Sequence, residues 1–206
     1  MSVCEPKIEK SLDPWSGLLL FAVRYGIIRV EIHREGNDRM KTKPTAIVYV
    51  SNTGRTARYA RMMGEKTGLP VYELAEARKA LPKKAPIIYC GWLMATSVKD
   101  YRKAARRYTV AALCGVGLCP TGELLDEVRK TTGLDGEIPL FTLQGGMDRS
   151  ALKGVYGSMI DFLIHSLEKK KEPSEKEAAM LEMLKAGGDF VSEENLGAVL
   201  GWYDTL

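Results

Sequence analysis

From Thr45 onward the chain alternates short apolar runs with amphipathic segments of helical period. Thr45–Val50 reads as a strand, followed by a helix from about Gly54 to Thr67 that Gly68 closes at the C-cap. Pro70–Leu74 reads as a short strand, with a partial helix ending before Pro82. Ala85–Cys90 and Tyr108–Cys114 are uncharged over their centres, as expected of strands covered on both faces. Between them lie a loop, Gly91 to Ser97, and a basic helical segment carrying Lys99, Arg102, Lys103, Arg106 and Arg107. A helix over Gly122–Thr132 is expected to be capped by Thr121, with Glu123 and Glu127 favouring its start. Ile138–Leu143 is the last strand, and Gly145-Gly146 turns the chain into a helix from about Ser150 to Lys170. Leu152, Val155, Met159, Phe162 and Leu163 keep helical spacing along it. A polar break, Lys169–Glu175, precedes a second amphipathic helix to about Lys185, and Ser192–Leu206 is expected to form a short surface helix. Five strands alternating with helices predict an α/β fold with a doubly wound parallel sheet and a C-terminal helical extension.

One junction in this pattern carries chemistry. The apolar run ending at Val50 meets Ser51-Asn52-Thr53-Gly54-Arg55-Thr56 just before the first helix. A strand, tight turn and helix start would aim unpaired backbone N–H groups and the positive end of the helix dipole at one spot, which suits a phosphate. Ser51, Thr53 and Thr56 add hydroxyl donors, and Gly54 lets backbone approach closely. The stretch lacks the lysine of the triphosphatase loop and the paired glycines of the dinucleotide fingerprint, so an ordinary capped turn is the competing reading. In doubly wound sheets ligands sit beyond the carboxyl ends of the strands. There the first turn converges with the loops at 91 and 115, both rich in small residues.

Composition narrows the classes. The chain has 206 residues, 45% hydrophobic and 27% charged, enough for one domain with a real core. No run approaches the ~20 apolar residues of a membrane span. Glu5, Glu9 and Asp13 stand where a secretion signal would be positive, so a cytoplasmic location with reduced thiols is expected. Four cysteines and two histidines show no metal-ligand spacing. His33 and His165 are isolated and read as surface or packing residues. The net charge of +4 is compatible with an anionic ligand, and no nucleic-acid-binding pattern accompanies it. Residues 1–39 precede Met40 and a polar lead into the first strand. They read as a loosely packed, optional or non-native extension, or alternatively as a membrane-surface or partner-binding arm.

From about Met40 to the C-terminus the chain resembles the flavodoxin superfamily. The branch it resembles within that superfamily includes the menaquinone-dependent protoporphyrinogen oxidases. The likeness rests on Ser51–Thr56, on Gly91-Trp92-Leu93-Met94-Ala95, on Gly115-Val116-Gly117-Leu118-Cys119-Pro120, and on Leu143-Gln144-Gly145-Gly146-Met147-Asp148 followed by Leu152. The resemblance implies strand order 2-1-3-4-5 and bound FMN. It puts the FMN phosphate on Ser51, Asn52, Thr53, Gly54, Arg55 and Thr56, and the isoalloxazine ring on Gly91, Trp92, Leu93, Met94, Ala95, Gly115, Val116, Gly117 and Leu118. A basic surround would raise the potential of such a ring relative to an acidic one. No catalytic side chain and no metal are expected, because FMN carries its own redox chemistry.

Several residues keep two readings. Trp92 could stack on a flavin or pack under the basic helix. Cys90 and Cys114 could be a redox pair or two small buried hydrophobes. Lys99–Arg107 could attract tetrapyrrole propionates, a quinone-bearing membrane surface or an acidic donor, or be a solvated face. Three functions follow: an FMN redox protein serving a partner protein or small-molecule substrate, a protoporphyrinogen oxidase with a quinone acceptor, or a cofactor-less interaction module. Oligomeric state is left open.

Overall fold

The computed structural model describes residues 42–147 and 154–206. The expected extension at 1–39 lies outside the described residues, as do Asp148, Leu152 and the expected start of the long helix. Five parallel strands run in spatial order β2-β1-β3-β5-β6: β1 Ala46–Val50, β2 Val71–Glu73, β3 Pro86–Met94, β5 Thr109–Gly117 and β6 Leu140–Gln144. A sixth short strand, β4 (Ser97–Val98), pairs antiparallel with the end of β3, Leu93 opposite Val98 and Met94 opposite Ser97. This corrects two expectations. Gly91–Ser97 is not a loop but the end of β3 turning back on itself, and the sheet is mixed rather than wholly parallel.

Alternation along the strands divides the core into two layers. Ala46, Val48, Ile87, Tyr89, Val110 and Leu113 face one side. There they meet helices α2 (Leu74–Ala80), α3 (Tyr101–Ala105) and α4 (Leu125–Thr132) through Ala77, Tyr101, Ala104 and Val128. Ile47, Ile88, Cys90, Ala112, Cys114 and Val116 face the other. They are covered by α1 (Arg55–Thr67) and by the C-terminal α7 (Gly197–Asp204) with the 3-10 turn before it. Each fully buried large side chain here contributes about 1.5–3 kcal/mol relative to exposure. The C-terminal tail is therefore part of the core and not a surface appendage: Leu196 and Val199 are 0% and 1% exposed against Tyr59, Ala60 and Met63.

Helices α5 (Val155–Glu168) and α6 (Glu175–Ala186) form a hairpin with its own core, Ile164, Leu167, Met180 and Leu184, closed over Met147. A capping box starts α6, with Ser174 and Glu177 exchanging bonds, and Lys170 pairs with Glu177 across the hairpin turn. The short ribbon of β7 (Gly146–Met147) and β8 (Gly188–Asp189) carries the chain into and out of this pair.

Two helices differ from expectation. Helix α4 begins at Leu125, with Leu124 left-handed before it, rather than at Gly122. Thr121 cannot cap it, because its hydroxyl donates to Asn195 Oδ1 (2.8 Å) and accepts from the Gln144 N–H (3.0 Å). The basic segment yields only the five-residue α3, since Arg106 and Arg107 lie beyond its C-terminus.

Candidate functional site

The carboxyl ends of β1, β3 and β5 open on one side of the sheet, and a cavity of about 140 Å³ lies there. At its polar end is the turn between β1 and α1. Gly54 sits at φ 86°, a left-handed conformation that an L side chain would strain, and starts α1 without a side-chain cap. The first intrahelical bond runs from Arg58 N–H to the Gly54 carbonyl (3.0 Å). The N–H groups of Arg55, Thr56 and Ala57 thus precede the helical ladder and point outward from the helix start. Ser51 serves the turn itself, its hydroxyl accepting the Gly54 N–H at 3.1 Å. Asn52, Thr53, Arg55 and Thr56 line the cavity, whereas Ser51 and Gly54 do not.

The remaining walls are mostly apolar. Trp92, Leu93, Met94 and Ala95 come from the β3–β4 hairpin, and Val116, Gly117 and Leu118 from the end of β5. Gly91 and Gly115 do not reach the cavity, and packing explains their lack of side chains. A Cβ on Gly91 would stand 2.6 Å from Val98 and 2.9 Å from the Lys99 carbonyl; one on Gly115 would stand 2.9 Å from Leu93. The glycines that the resemblance sets beneath a flavin ring make room here for Leu93 and for the returning strand.

That hairpin also fixes a charge near the mouth. The buried Tyr89 hydroxyl donates to the Lys99 carbonyl (2.8 Å), and the Lys99 N–H donates to the Trp92 carbonyl (3.0 Å). So held, the Lys99 ammonium lies 5.9 Å from the Trp92 ring centroid. Burial pushes the Tyr89 phenol far above its ordinary range. Two other cations of the basic segment are engaged elsewhere. Arg107 donates to the Arg78 carbonyl (2.7 Å) and the Tyr108 hydroxyl (3.1 Å), and Lys103 pairs with Asp100 (2.8 Å).

Sequence reasoning missed the roof. Met159, Ile160 and Leu163 of α5 close over the cavity with Met147 of β7, and Cys119, Leu124 and Gly146 complete the rim. The helical period of residues 159–163 is visible in the chain, as is the Gly145-Gly146 turn, but nothing local says that this helix face meets a cavity whose polar turn, at Asn52, lies more than 100 residues earlier.

Arg55 ties roof and floor together. Its Nη2 donates to the Gly188 carbonyl (2.9 Å) and its Nη1 to the Thr53 hydroxyl (3.3 Å). Asp189 lies 3.9 Å from Arg55 Nε and pairs closely with Arg58. Burial raises the Asp189 carboxyl, but the Val191 N–H and the two arginines outweigh it and hold the group below its usual range. Behind this, the Tyr59 phenol donates to the Gln144 carbonyl and accepts from Asn195 Nδ2 (2.7 Å); desolvation raises it above the ordinary tyrosine range. Cys90 and Cys114 are register partners on β3 and β5, both fully buried and both thiols. Burial, then the neighbouring Cys114, pushes the Cys90 thiol well up, which keeps it protonated and unreactive.

Among the described residues no helix is long and apolar enough to cross a membrane, and no His, Cys, Asp or Glu group could hold a metal. No family model matches the chain, and no curated protein matches it in sequence.

Proposed function

We propose that this cavity binds FMN and that the protein is a flavodoxin-like redox protein, passing electrons to a partner protein or oxidising a small substrate. The observation that carries the reading is the polarity of one cavity at the carboxyl ends of β1, β3 and β5. Thr53, Thr56 and Arg55 stand at one end beside the helix-start N–H groups that precede the helical ladder, and Trp92, Met94, Leu118, Met147 and Met159 line the rest. The polar end suits a phosphate monoester, since the largely buried Arg55 guanidinium lines it and, among the described residues, its Nε has no hydrogen-bond partner. The apolar end suits a flat ring. Strand order reverses between β1 and β3, the usual place for a ligand in such sheets. Bound FMN would supply the electron and hydride chemistry. The chain's own part is to grip the phosphate at 52–56, exclude water beneath α5, and set the local charge through Lys99 and Arg55.

A second reading is favoured by Leu93, which fills the space above Gly115 and Gly117. On that reading the fold is a cofactor-less interaction module. Titration of the purified full chain with FMN, followed by flavin fluorescence quenching and the visible spectrum, separates the two. Saturable one-to-one binding supports the flavoprotein; no spectral change at a large excess of FMN leaves the interaction module. A protoporphyrinogen oxidase would show, beyond binding, quinone-dependent porphyrin formation.

A further inference from the structure

The polar end of the cavity holds a charge whose hydrogen bonding is incomplete. The Arg55 side chain is only 12% exposed, and its Nε has no hydrogen-bond partner among the described residues. The nearby Asp189 Oδ1, at 3.9 Å, is within ion-pair range but too far for a hydrogen bond. Asp189 itself is about half exposed and is held from the solvent side by Arg58, also about half exposed. Its place is set by the ribbon, where Asp189 is the register partner of cavity-lining Gly146. A side chain at Gly146 would put a Cβ 2.3 Å from the Gly188 carbonyl, so the close approach of the two strands depends on glycine there.

We infer that Arg55 is the charge-selecting residue of the anion end, and that Asp189 is its built-in competitor, restrained by Arg58. This rests on reading the cavity's polar end as a phosphate site. An anion arriving at Asn52–Thr56 meets the Arg55 guanidinium charge, and the attraction between Arg55 and Asp189 gives way to one between Arg55 and phosphate. Asp189 keeps Arg58 as its partner and stays hydrated, so no carboxylate is stranded when the exchange occurs. The site should then favour doubly charged phosphate monoesters over neutral analogues, by an amount that Asp189 limits.

The sign of one substitution separates this role from a structural one. If Asp189 merely holds the ribbon, partly by accepting the Val191 N–H (3.2 Å), Asp189→Asn loosens the site and weakens binding. As a competitor for Arg55, its neutralisation tightens phosphate binding about 3- to 10-fold at low salt, since charges within about 10 Å are little screened there. Arg58→Gln unmasks Asp189 and should weaken binding by a similar factor, while Arg55→Gln should cost at least about tenfold. The experiment is calorimetric titration of the full-length protein and these three variants with inorganic phosphate, FMN and riboflavin, at low and high salt. The expected result is the stated order for phosphate and FMN, compressed at high salt, with riboflavin affinity unchanged. Weaker phosphate binding by Asp189→Asn in a folded protein, or equal shifts for riboflavin, overturns the inference. So does a wild-type protein that does not respond to phosphate, even if it binds both flavins. Phosphate binding in the expected order without affinity for either flavin upholds the inference and removes the FMN reading instead. Should Asp189→Asn fail to fold, Arg58→Gln decides: unchanged or tighter phosphate binding overturns the competitor role.

Discussion

The Leu93 side chain takes the space that a side chain at Gly117 would need, its Cδ1 lying 2.8 Å from where a Cβ would be built. The same side chain packs over Gly115, so the hairpin lies down on the end of β5 because both of those residues are glycine. Leu93 thus plugs a glycine floor, held by the pairing of its own strand with Val98.

That arrangement ranks three substitutions. Gly117→Ala meets the far end of a flexible side chain, so Leu93 can turn aside at a cost of about 1–3 kcal/mol. Gly91→Ala meets the Lys99 carbonyl at 2.9 Å as well as Val98, and backbone yields less readily. Urea midpoints should fall more for Gly91→Ala than for Gly117→Ala. Leu93→Ala, which clears the floor, should lower stability by about 1–3 kcal/mol yet tighten FMN binding. Looser FMN binding by Leu93→Ala would mean that the side chain is a wall of the site.

Much of this layout was legible in the chain, and what was missed has a common cause. The uncharged centres of β1, β3 and β5 and the glycine at the end of α1 are local features, and they put strands and helices in the right order. The reach of β3 through Gly91–Met94 was not local, because it depends on Val98 folding back to pair with Leu93. Helix α4 starts late because Thr121 is bonded to Asn195, 74 residues further along. The roof of the cavity was hidden for the same reason. The spacing of Met159, Ile160 and Leu163 shows a helix face, and only the placement of the α5–α6 hairpin decides what that face covers.

The turn at 51–56 offers a second test. Thr53 and Thr56 line the polar end, and Thr56 is 2% exposed. Replacing both with Ala should reduce FMN affinity at least about a hundredfold while riboflavin affinity changes little, since each lost hydroxyl removes about 1.5–3 kcal/mol of charge-assisted bonding. Far-ultraviolet circular dichroism should be unaltered, because neither hydroxyl caps α1.

Thiol labelling provides a third. Cys90 and Cys114 are fully buried, and burial holds the Cys90 thiol protonated, so neither should react with a thiol reagent in the native state at pH 8. Cys119 is partly exposed on the cavity rim and should react. In a Cys4→Ser protein, one thiol should therefore label before unfolding, and bound FMN should slow it. Rapid labelling at Cys90 or Cys114 would mean that the β3–β5 pair opens far more easily than its packing implies.

The last prediction concerns acid. Hydrogen bonding to Lys170 first, then to the Ser174 N–H, lowers the Glu177 carboxyl below its ordinary value, and the Arg58 and Val191 contacts do the same for Asp189 against desolvation. A carboxyl depressed in the fold contributes stability that is present above its unfolded pKa, about 4.3 for Glu. It loses that contribution as pH falls through the lower folded value. Melting temperature should thus hold from neutral pH to about 5 and fall below about 4.5. Glu177→Gln should lower the neutral plateau and make the acid limb shallower, since one of the groups that must be protonated has been removed. The loss should fall on the α5–α6 hairpin, because the capping box that starts α6 depends on this side chain. Hydrogen exchange can see that directly: amides of α6 should lose protection in Glu177→Gln, while those of β1, β3 and β5 keep theirs. A uniform loss across the sheet would show that the hairpin and the sheet unfold as one unit, and that the roof of the cavity cannot open alone.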